Sequence, residues 1–448
     1  VAIEWLLDKM YNIADREAMI LVNDSITFGR LLESYSNWTS LIKKHQIRSG
    51  EVILLEGDYS PAVCGAMLAF IENVNIIALV STSISHRLQE LSDIAQVNRT
   101  IHFEGNHYRI ETSERNTHTG LLEQFIQKEQ AGMIIFTSGT TGVPKAILHN
   151  ISQFIDRYKV PRDTLRTMSF LLFDHIGGIN TLFHTLANGG TIIVPPGRSP
   201  SEICALIETH KVELLPTSPS FLNLLLMTGA YKQFDMSSLK IITFGTEVMP
   251  DYTLQQLRSQ FPDIQLRQTY GLSELGILRV KSKDSGSPWL KIGGEGIETK
   301  VVEGVLHIRS KTAMVGYLNA SDPFDEEGWF NTQDQVSVDG EYLRIFGRIS
   351  EIINVGGRKV YPTEVEEVLL RMPEVRDVTV KGEPNSLLGQ IVVVTAVVNT
   401  DYRIDAKELK QRMRGFCQGR LEEFQIPVKV CIQEKELFSE RFKKMRQI

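Results

Sequence analysis

Apolar residues fall at Phe28, Leu31, Leu32, Tyr35, Trp38, Leu41 and Ile42. This three-and-four spacing gathers one face of an α-helix, so residues 27–44 are predicted to form an amphipathic helix. Residues 52–55 form a short unbroken apolar run and are read as a buried strand, residues 61–71 as a helix and 76–80 as a second strand. Strand, helix, strand on this scale builds a parallel sheet. The alternation resumes at 133–136, 202–210, 213–216, 240–244 and 265–268. Past about residue 295 the texture changes to short alternating stretches with glycine turns, at 299–302, 305–309 and 342–347, which predict a small β subdomain. Beyond Arg348 the pattern reads helix 362–372, strands 375–380 and 391–398, helix 405–421 and strand 428–432. Pro362 sits where a helix does not need an N–H, and Asp405 with Glu408 has the spacing of a capping box. The expected fold class is α/β. A large N-terminal domain, residues 1–347, has parallel-type sheets with helices and the β subdomain, and a small α+β domain spans 348–448.

Bulk properties narrow the functions. A chain of 448 residues with 42% hydrophobic and 23% charged positions is globular and large enough for more than one core. A net charge of −6 gives no basic footprint for nucleic acid. The four cysteines show neither CxxC pairing nor metal-ligand spacing, which fits buried thiols in a reducing cytoplasm. No apolar run is long enough to span a bilayer, and the opening VAIEWLLDKM has no basic segment of the signal-peptide kind.

Three segments carry candidate chemistry. FTSGTTGVPK, residues 136–145, directly follows an apolar strand, at the sheet edge where open α/β folds bind ligands. Gly139 and Gly142 let the backbone approach an anion, Thr137, Ser138, Thr140 and Thr141 offer hydroxyls, and Lys145 offers a positive charge. The loop suits a triphosphate, although the same composition also makes ordinary turns, and no GK[ST] follows as a Walker A motif requires. TYGLSE, residues 269–274, again follows a strand, and pairs an aromatic ring able to stack on a base with a carboxylate able to hold Mg2+. GWFNTQD, residues 328–334, and FGR, residues 346–348, supply an Asp and an Arg able to clasp a ribose.

In this order, these segments resemble the adenylate-forming superfamily of acyl- and aryl-CoA ligases, peptide-synthetase adenylation domains and luciferases, closest in type to an acyl- or aryl-CoA ligase. The resemblance implies that Thr137, Ser138, Gly139, Thr140, Thr141, Gly142 and Lys145 hold the phosphates of ATP, with Gly245, Thr246, Glu247, Thr269 and Gly271 in the same nucleotide site. It further implies that Tyr270 lies near adenine, Ser273 contacts the α-phosphate, Glu274 binds Mg2+, and Asp334 and Arg348 hold the ribose. The last ~100 residues would be a mobile lid. SERFKKMR, residues 439–446, is similar to the family's closing motif, whose spacing favours Lys443 as the catalytic lysine with Lys444 as the competitor. The lid would rotate between acyl-AMP formation and thioester formation, presenting Gly356 and Gly357 to the thiol arm.

The acid pocket implied by the resemblance includes His175, Gly177, Gly178, Ser218, Phe221, Leu272 and Gly276. Ile176 stands where amino-acid-activating relatives need an acidic group, with Asp174 two residues before it. A mainly apolar slot points to an aryl or medium acyl acid. The acceptor thiol is coenzyme A or the phosphopantetheine of a carrier protein, and Arg358 and Lys359 are candidate partners for the nucleotide end of CoA. Four positions depart from the family pattern. Gln333 and Phe442 replace glycines, Ser273 replaces Thr, and Ser350 with Glu351 occupies the hinge. A degenerate, non-catalytic nucleotide-binding relative is the alternative these departures leave open.

Overall fold

The computed structural model describes residues 3–22, 24–105, 107–115, 117–137, 143–284, 286–434, 437–439 and 442–446. Among these, two seven-stranded sheets form the larger part of the molecule. One runs in spatial order Gln265–Gln268, Ile241–Phe244, Leu214–Thr217, Arg166–Met168, Thr191–Ile193, Glu17–Leu21 and Asp24–Thr27. The other runs Gly316–Tyr317, Lys145–Asn150, Gly132–Thr137, Ile76–Val80, Val52–Glu56, Arg99–Glu104 and His107–Thr112.

The sheets are mixed rather than purely parallel. Their interior pairs are parallel, but Glu17–Leu21 pairs antiparallel with Asp24–Thr27, Arg99–Glu104 with His107–Thr112, and Gly132–Thr137 with Lys145–Asn150. A connection of a few residues returns a chain only in the opposite direction, whereas a parallel neighbour needs a long crossover.

The predicted first helix is Phe28–Lys44, with Thr27 capping its N-terminus through the Arg30 N–H. Its apolar face and the helices Pro61–Glu72 and Ile176–Ala187 fill one cluster with Met19 and Ile192 of the first sheet and Ile53, Leu55, Ile77, Leu79, Met133 and Ile135 of the second. Helices therefore lie between the two sheets. Alternate residues Val52, Leu54, Ile76, Ala78 and Ile134 face a separate cluster, as period-two strands dictate. The helices Pro200–His210, Pro219–Thr228 and Asp251–Gln260 cover the other face of the first sheet through Ile203, Phe221 and Leu257.

The β subdomain is a six-stranded antiparallel sheet, with Phe330–Asp339 and Tyr342–Arg348 at its centre. After Arg348, the strands Ile353–Val355, Arg358–Val360, Val375–Asn385, Gly389–Val398 and Lys429–Ile432 form one five-stranded sheet, joined by the helices Pro362–Leu369 and Ala406–Cys417. The buried core of this region is drawn from residues 353–430 alone. Among the described residues no helix is long and apolar enough to cross a membrane.

Candidate active site

The strands Gly132–Thr137 and Lys145–Asn150 pair with Thr137 opposite Lys145, so they hold both ends of the glycine-rich loop. Ser138, Gly139, Thr140, Thr141 and Gly142 lie outside the described residues. Lys145 Nζ stands 4.8 Å from the ring centre of Tyr317, a cation–π distance.

TYGLSE is built as a hairpin, with Tyr270–Leu272 antiparallel to Gly276–Leu278. Gly271 permits it, because a Cβ there would stand 2.5 Å from Gly276 O. Three contacts then fix the hairpin turn. The fully buried His149 places Nε2 2.7 Å from the Ser273 carbonyl, and burial lowers its pKa to about 4, so at neutral pH it is an uncharged donor. The Met314 N–H donates to Glu274 O at 2.7 Å, and Tyr317 Oη donates to Glu274 Oε1 at 2.7 Å. Burial, then the Glu274 charge, raises the Tyr317 pKa, which keeps the hydroxyl a donor.

Tyr270 is mostly buried in the β-subdomain cluster, and its hydroxyl donates to Asp334 Oδ2 at 2.5 Å. Asp334 faces Arg348 across the sheet, with Arg348 Nε 3.6 Å from Oδ1. Burial raises the Asp334 pKa despite Tyr270 and Arg348, which both favour its charged form. The predicted ribose pair is thus adjacent, and Tyr270 orients its carboxylate.

Gly245, at the end of Ile241–Phe244, has no room for a side chain, since a Cβ would stand 2.3 Å from Thr269 Oγ1. The next residue, Thr246, has φ 72°, a left-handed conformation that is strained for a β-branched residue. Thr246 lines a cleft with Phe170, Leu171, Leu172, His175 and Lys443. His175 begins the helix Ile176–Ala187, its Nδ1 accepting the Gly177 N–H at 3.1 Å while the ring faces the cleft. Arg198 also lines the cleft and lies 5.9 Å from the Phe170 ring centre.

Other expected acid-pocket residues lie deeper. Gly177 and Gly178 are buried where Leu171 and Leu172 cross the helix; a Cβ on Gly178 would stand 2.0 Å from Leu172 O. Ser218 is fully buried, caps Pro219–Thr228 and donates from Oγ to Phe442 O at 2.8 Å. Phe221 packs against Phe170 and Phe442, at ring-centre distances of 4.4 and 5.5 Å. Leu272 and Gly276 belong to the TYGLSE hairpin, Gly276 standing beside Arg157. Ile176 is core, and Asp174 is buried and accepts from Ser81 at 3.1 Å.

The two lysines part company. Lys443 faces the cleft. The Lys444 side chain is 8% exposed, with Nζ 2.7 Å from Val378 O, 3.4 Å from Asp377 and 3.8 Å from Glu366. Arg446 closes on Glu366 at 2.9 Å and on Glu351 at 2.9 Å. Burial alone would raise the Glu366 carboxyl, but Arg446 and Lys444 hold it at about 2. Glu247, expected in the nucleotide site, accepts from Ser220 Oγ at 2.6 Å and from the Lys444 N–H. It therefore anchors the tail that carries Lys443. Gly356 and Gly357 form the turn between two small-domain strands, with φ 58° and 82°, and the Gly356 N–H bonds Leu388 O within that domain at 2.8 Å. Arg358 stacks 4.2 Å over Phe424, while Lys359 is exposed.

The residues that sequence reasoning missed are His149, Tyr317 and Glu366. Only contacts between distant segments mark them.

A model of the AMP-binding enzyme family matches residues 8–318, and one of the AMP-binding enzyme C-terminal domain matches 364–441. The chain belongs to the AMP-binding enzyme family. Among curated relatives of this family member is an indoleacetate–CoA ligase of Aromatoleum aromaticum, 28% identical over 66% of this chain and 62% of the relative, so the chain spans less than two thirds of that protein's length. A 2-succinylbenzoate–CoA ligase of Bacillus subtilis is 25% identical over 96% of this chain and 94% of the relative. An anthranilate CoA ligase solved in complex with anthranoyl-AMP shares the fold, with a TM-score of 0.84 at 17% identity over 99% of this chain and 95% of the other.

The residues fit a Mg2+·nucleotide site in kind. Among the described residues no three His, Cys, Asp or Glu side chains cluster to hold a metal. Mg2+ commonly binds through one or two carboxylates, substrate phosphates and water, and Glu274 at the end of the TYGLSE hairpin is a carboxylate of that sort.

Proposed function

We propose that this AMP-binding enzyme activates an aryl or medium acyl acid with ATP to an acyl-AMP, releasing pyrophosphate, and transfers the acyl group to coenzyme A. The observation that carries the reading is the meeting of Lys443 with His175 and Thr246 on a cleft whose other walls are the apolar Phe170, Leu171 and Leu172, with the cationic Arg198 at its side. An aromatic or alkyl acid fits such walls by burial. Lys443 brings a cation to the point where a carboxylate oxygen and a phosphate, both anionic, must meet. Asp334 accepts ribose hydroxyls while Tyr270 and Arg348 hold it in place. His175, fixed by the Gly177 N–H, closes the slot beside the reacting carboxylate. Mg2+ held by Glu274 would neutralise phosphate charge when bound.

The thioester step needs no Ser or Cys nucleophile, because the thiol attacks the acyl carbonyl and AMP leaves. In the orientation described here Lys443 faces the cleft and the Gly356–Gly357 turn does not, which suits the adenylation half-reaction. A division near 347/348 is in keeping with the separate core that begins at Ile353. A cytoplasmic setting is in keeping with the free cysteines Cys64, Cys204, Cys417 and Cys431.

A screen of carboxylic acids for pyrophosphate release, with and without CoA, tests the reading. Release that requires an acid and yields an acyl-CoA is the expected result. Thioester formed only on a carrier protein would replace CoA as the acceptor, and exchange that no acid stimulates would leave a non-catalytic nucleotide binder.

A further inference from the structure

We propose that Tyr317 is a positioning residue that aims the Glu274 carboxylate and the Lys145 ammonium at the same bound Mg2+·ATP, locking the metal site to the exit of the phosphate loop. The proposal rests on the reading of Glu274 as the Mg2+ ligand. It starts from one side chain with two partners, since the Tyr317 hydroxyl donates to Glu274 Oε1 at 2.7 Å while Lys145 Nζ sits 4.8 Å over its ring. Both partners are charged groups assigned to the same ligand.

The backbone around Tyr317 makes the same connection. Gly316–Tyr317 pairs antiparallel with the strand that leaves the loop, Tyr317 opposite Ile147. On either side, the Val315 N–H donates to Leu148 O at 2.7 Å and the Leu318 N–H to Ala146 O at 2.9 Å. The Asn319 side chain extends the clamp toward the loop, accepting the Ala146 N–H at 3.0 Å and donating to Pro144 O at 2.7 Å. From the opposite end, the Met314 N–H holds the Glu274 carbonyl at 2.7 Å. Residues 314–319 thus grip both the loop exit and the carboxylate, which are about 130 positions apart in sequence.

The chemistry requires such a grip. Mg2+ demands near-ideal octahedral geometry, so a ligand carboxylate turned out of plane loses affinity. A hydroxyl on one oxygen fixes that plane and would leave the second oxygen for the cation, and partners of this kind commonly tune metal affinity 10–100-fold. The buried ring, 8% exposed, cannot swing away without breaking both contacts.

Tyr317→Phe isolates the hydroxyl, because the ring, its packing and the Lys145 contact remain. Mn2+ binding in the presence of ATP is measured by electron paramagnetic resonance on the full chain, alongside the Mg2+ dependence of pyrophosphate exchange and ATP binding in EDTA. The expected result is roughly tenfold weaker Mn2+ binding and a matching rise in the Mg2+ requirement, with metal-free ATP binding and melting temperature unchanged. In the double variant with Glu274→Gln the two losses should not add, as groups acting through one contact do not. Wild-type Mn2+ affinity in Tyr317→Phe, where Glu274→Gln alone loses it, would overturn the positioning role and leave the metal assignment intact. Full additivity in the double variant would equally overturn it, making the hydroxyl a structural contact only. Wild-type affinity in Glu274→Gln itself would remove the metal assignment and the proposal with it.

Discussion

Replacing Lys444 by Met removes a buried cation whose Nζ bonds Val378 O at 2.7 Å and faces Asp377 at 3.4 Å. Breaking a buried pair by taking one partner costs about 3–5 kcal/mol, because the other charge is left uncompensated. The lower end applies here. Glu366 keeps Arg446 at 2.9 Å, so the uncompensated groups are Asp377 and the Val378 carbonyl, and Met refills most of the volume. Lys444→Met should therefore lose about 3 kcal/mol in chemical denaturation followed by far-UV circular dichroism. Lys443→Met, at the cleft, should stay within about 1 kcal/mol of the parent yet lose acid-dependent pyrophosphate exchange. The pair of variants separates the structural lysine from the catalytic one. A stable Lys444→Met enzyme without exchange activity, beside an active Lys443→Met, would refute the assignment and move the catalytic role to Lys444.

Three further outcomes are expected. Phe442→Gly relieves a residue held at φ 51° but removes a ring packed on Phe170, Phe221 and Phe438. A buried Phe truncation costs about 3–5 kcal/mol and left-handed backbone about 1 kcal/mol, so net destabilisation of about 2–4 kcal/mol should appear in denaturation, with exchange slowed more than thioester formation from supplied acyl-AMP. Gln333→Gly, at an exposed residue with φ 61° and no comparable packing, should instead leave stability unchanged or raise it by up to about 1 kcal/mol. The Glu366 carboxyl, held at about 2 against an ordinary 4.5, contributes stability above pH 4.5 that is lost as pH falls toward 2. Acid titration of Glu366→Gln should show a shallower loss of stability across that window than the parent.

The division between sequence and tertiary structure runs along the range of the forces involved. Local periodicity was enough to find the helix Phe28–Lys44, the strand Ile76–Val80 and the helix Pro362–Leu369, because a helix or strand repeats its buried face within a few residues. It missed the exposed strand His107–Thr112, whose apolar face is only Tyr108 and Ile110, too short a pattern to read. Periodicity indicated the α/β class with parallel-type sheets but not the antiparallel hairpins inside them, where short connections override the strand–helix–strand expectation. The motifs named Asp334 with Arg348, and Glu274, as candidate chemistry through their order along the chain, each short string being a weak signal alone.

What they did not decide was which group meets which. Favouring Lys443 over Lys444 rests on which ammonium faces a cleft and which faces the small-domain carboxylates Asp377 and Glu366. Glu247 and Ser218 became anchors for the tail only once residues 442–446 lay across them. Gly177 and Gly178 acquired a packing role only when Leu171 and Leu172 crossed their helix. Tyr317 and His149 carry no local signature, for a hydroxyl or an imidazole gains a role from a partner that the chain brings to it across more than a hundred residues or from another strand. Sequence by itself determined which chemical groups this enzyme owns. The tertiary structure decided their pairing, because hydrogen bonds and buried charges act over a few ångströms in space and are indifferent to separation along the chain.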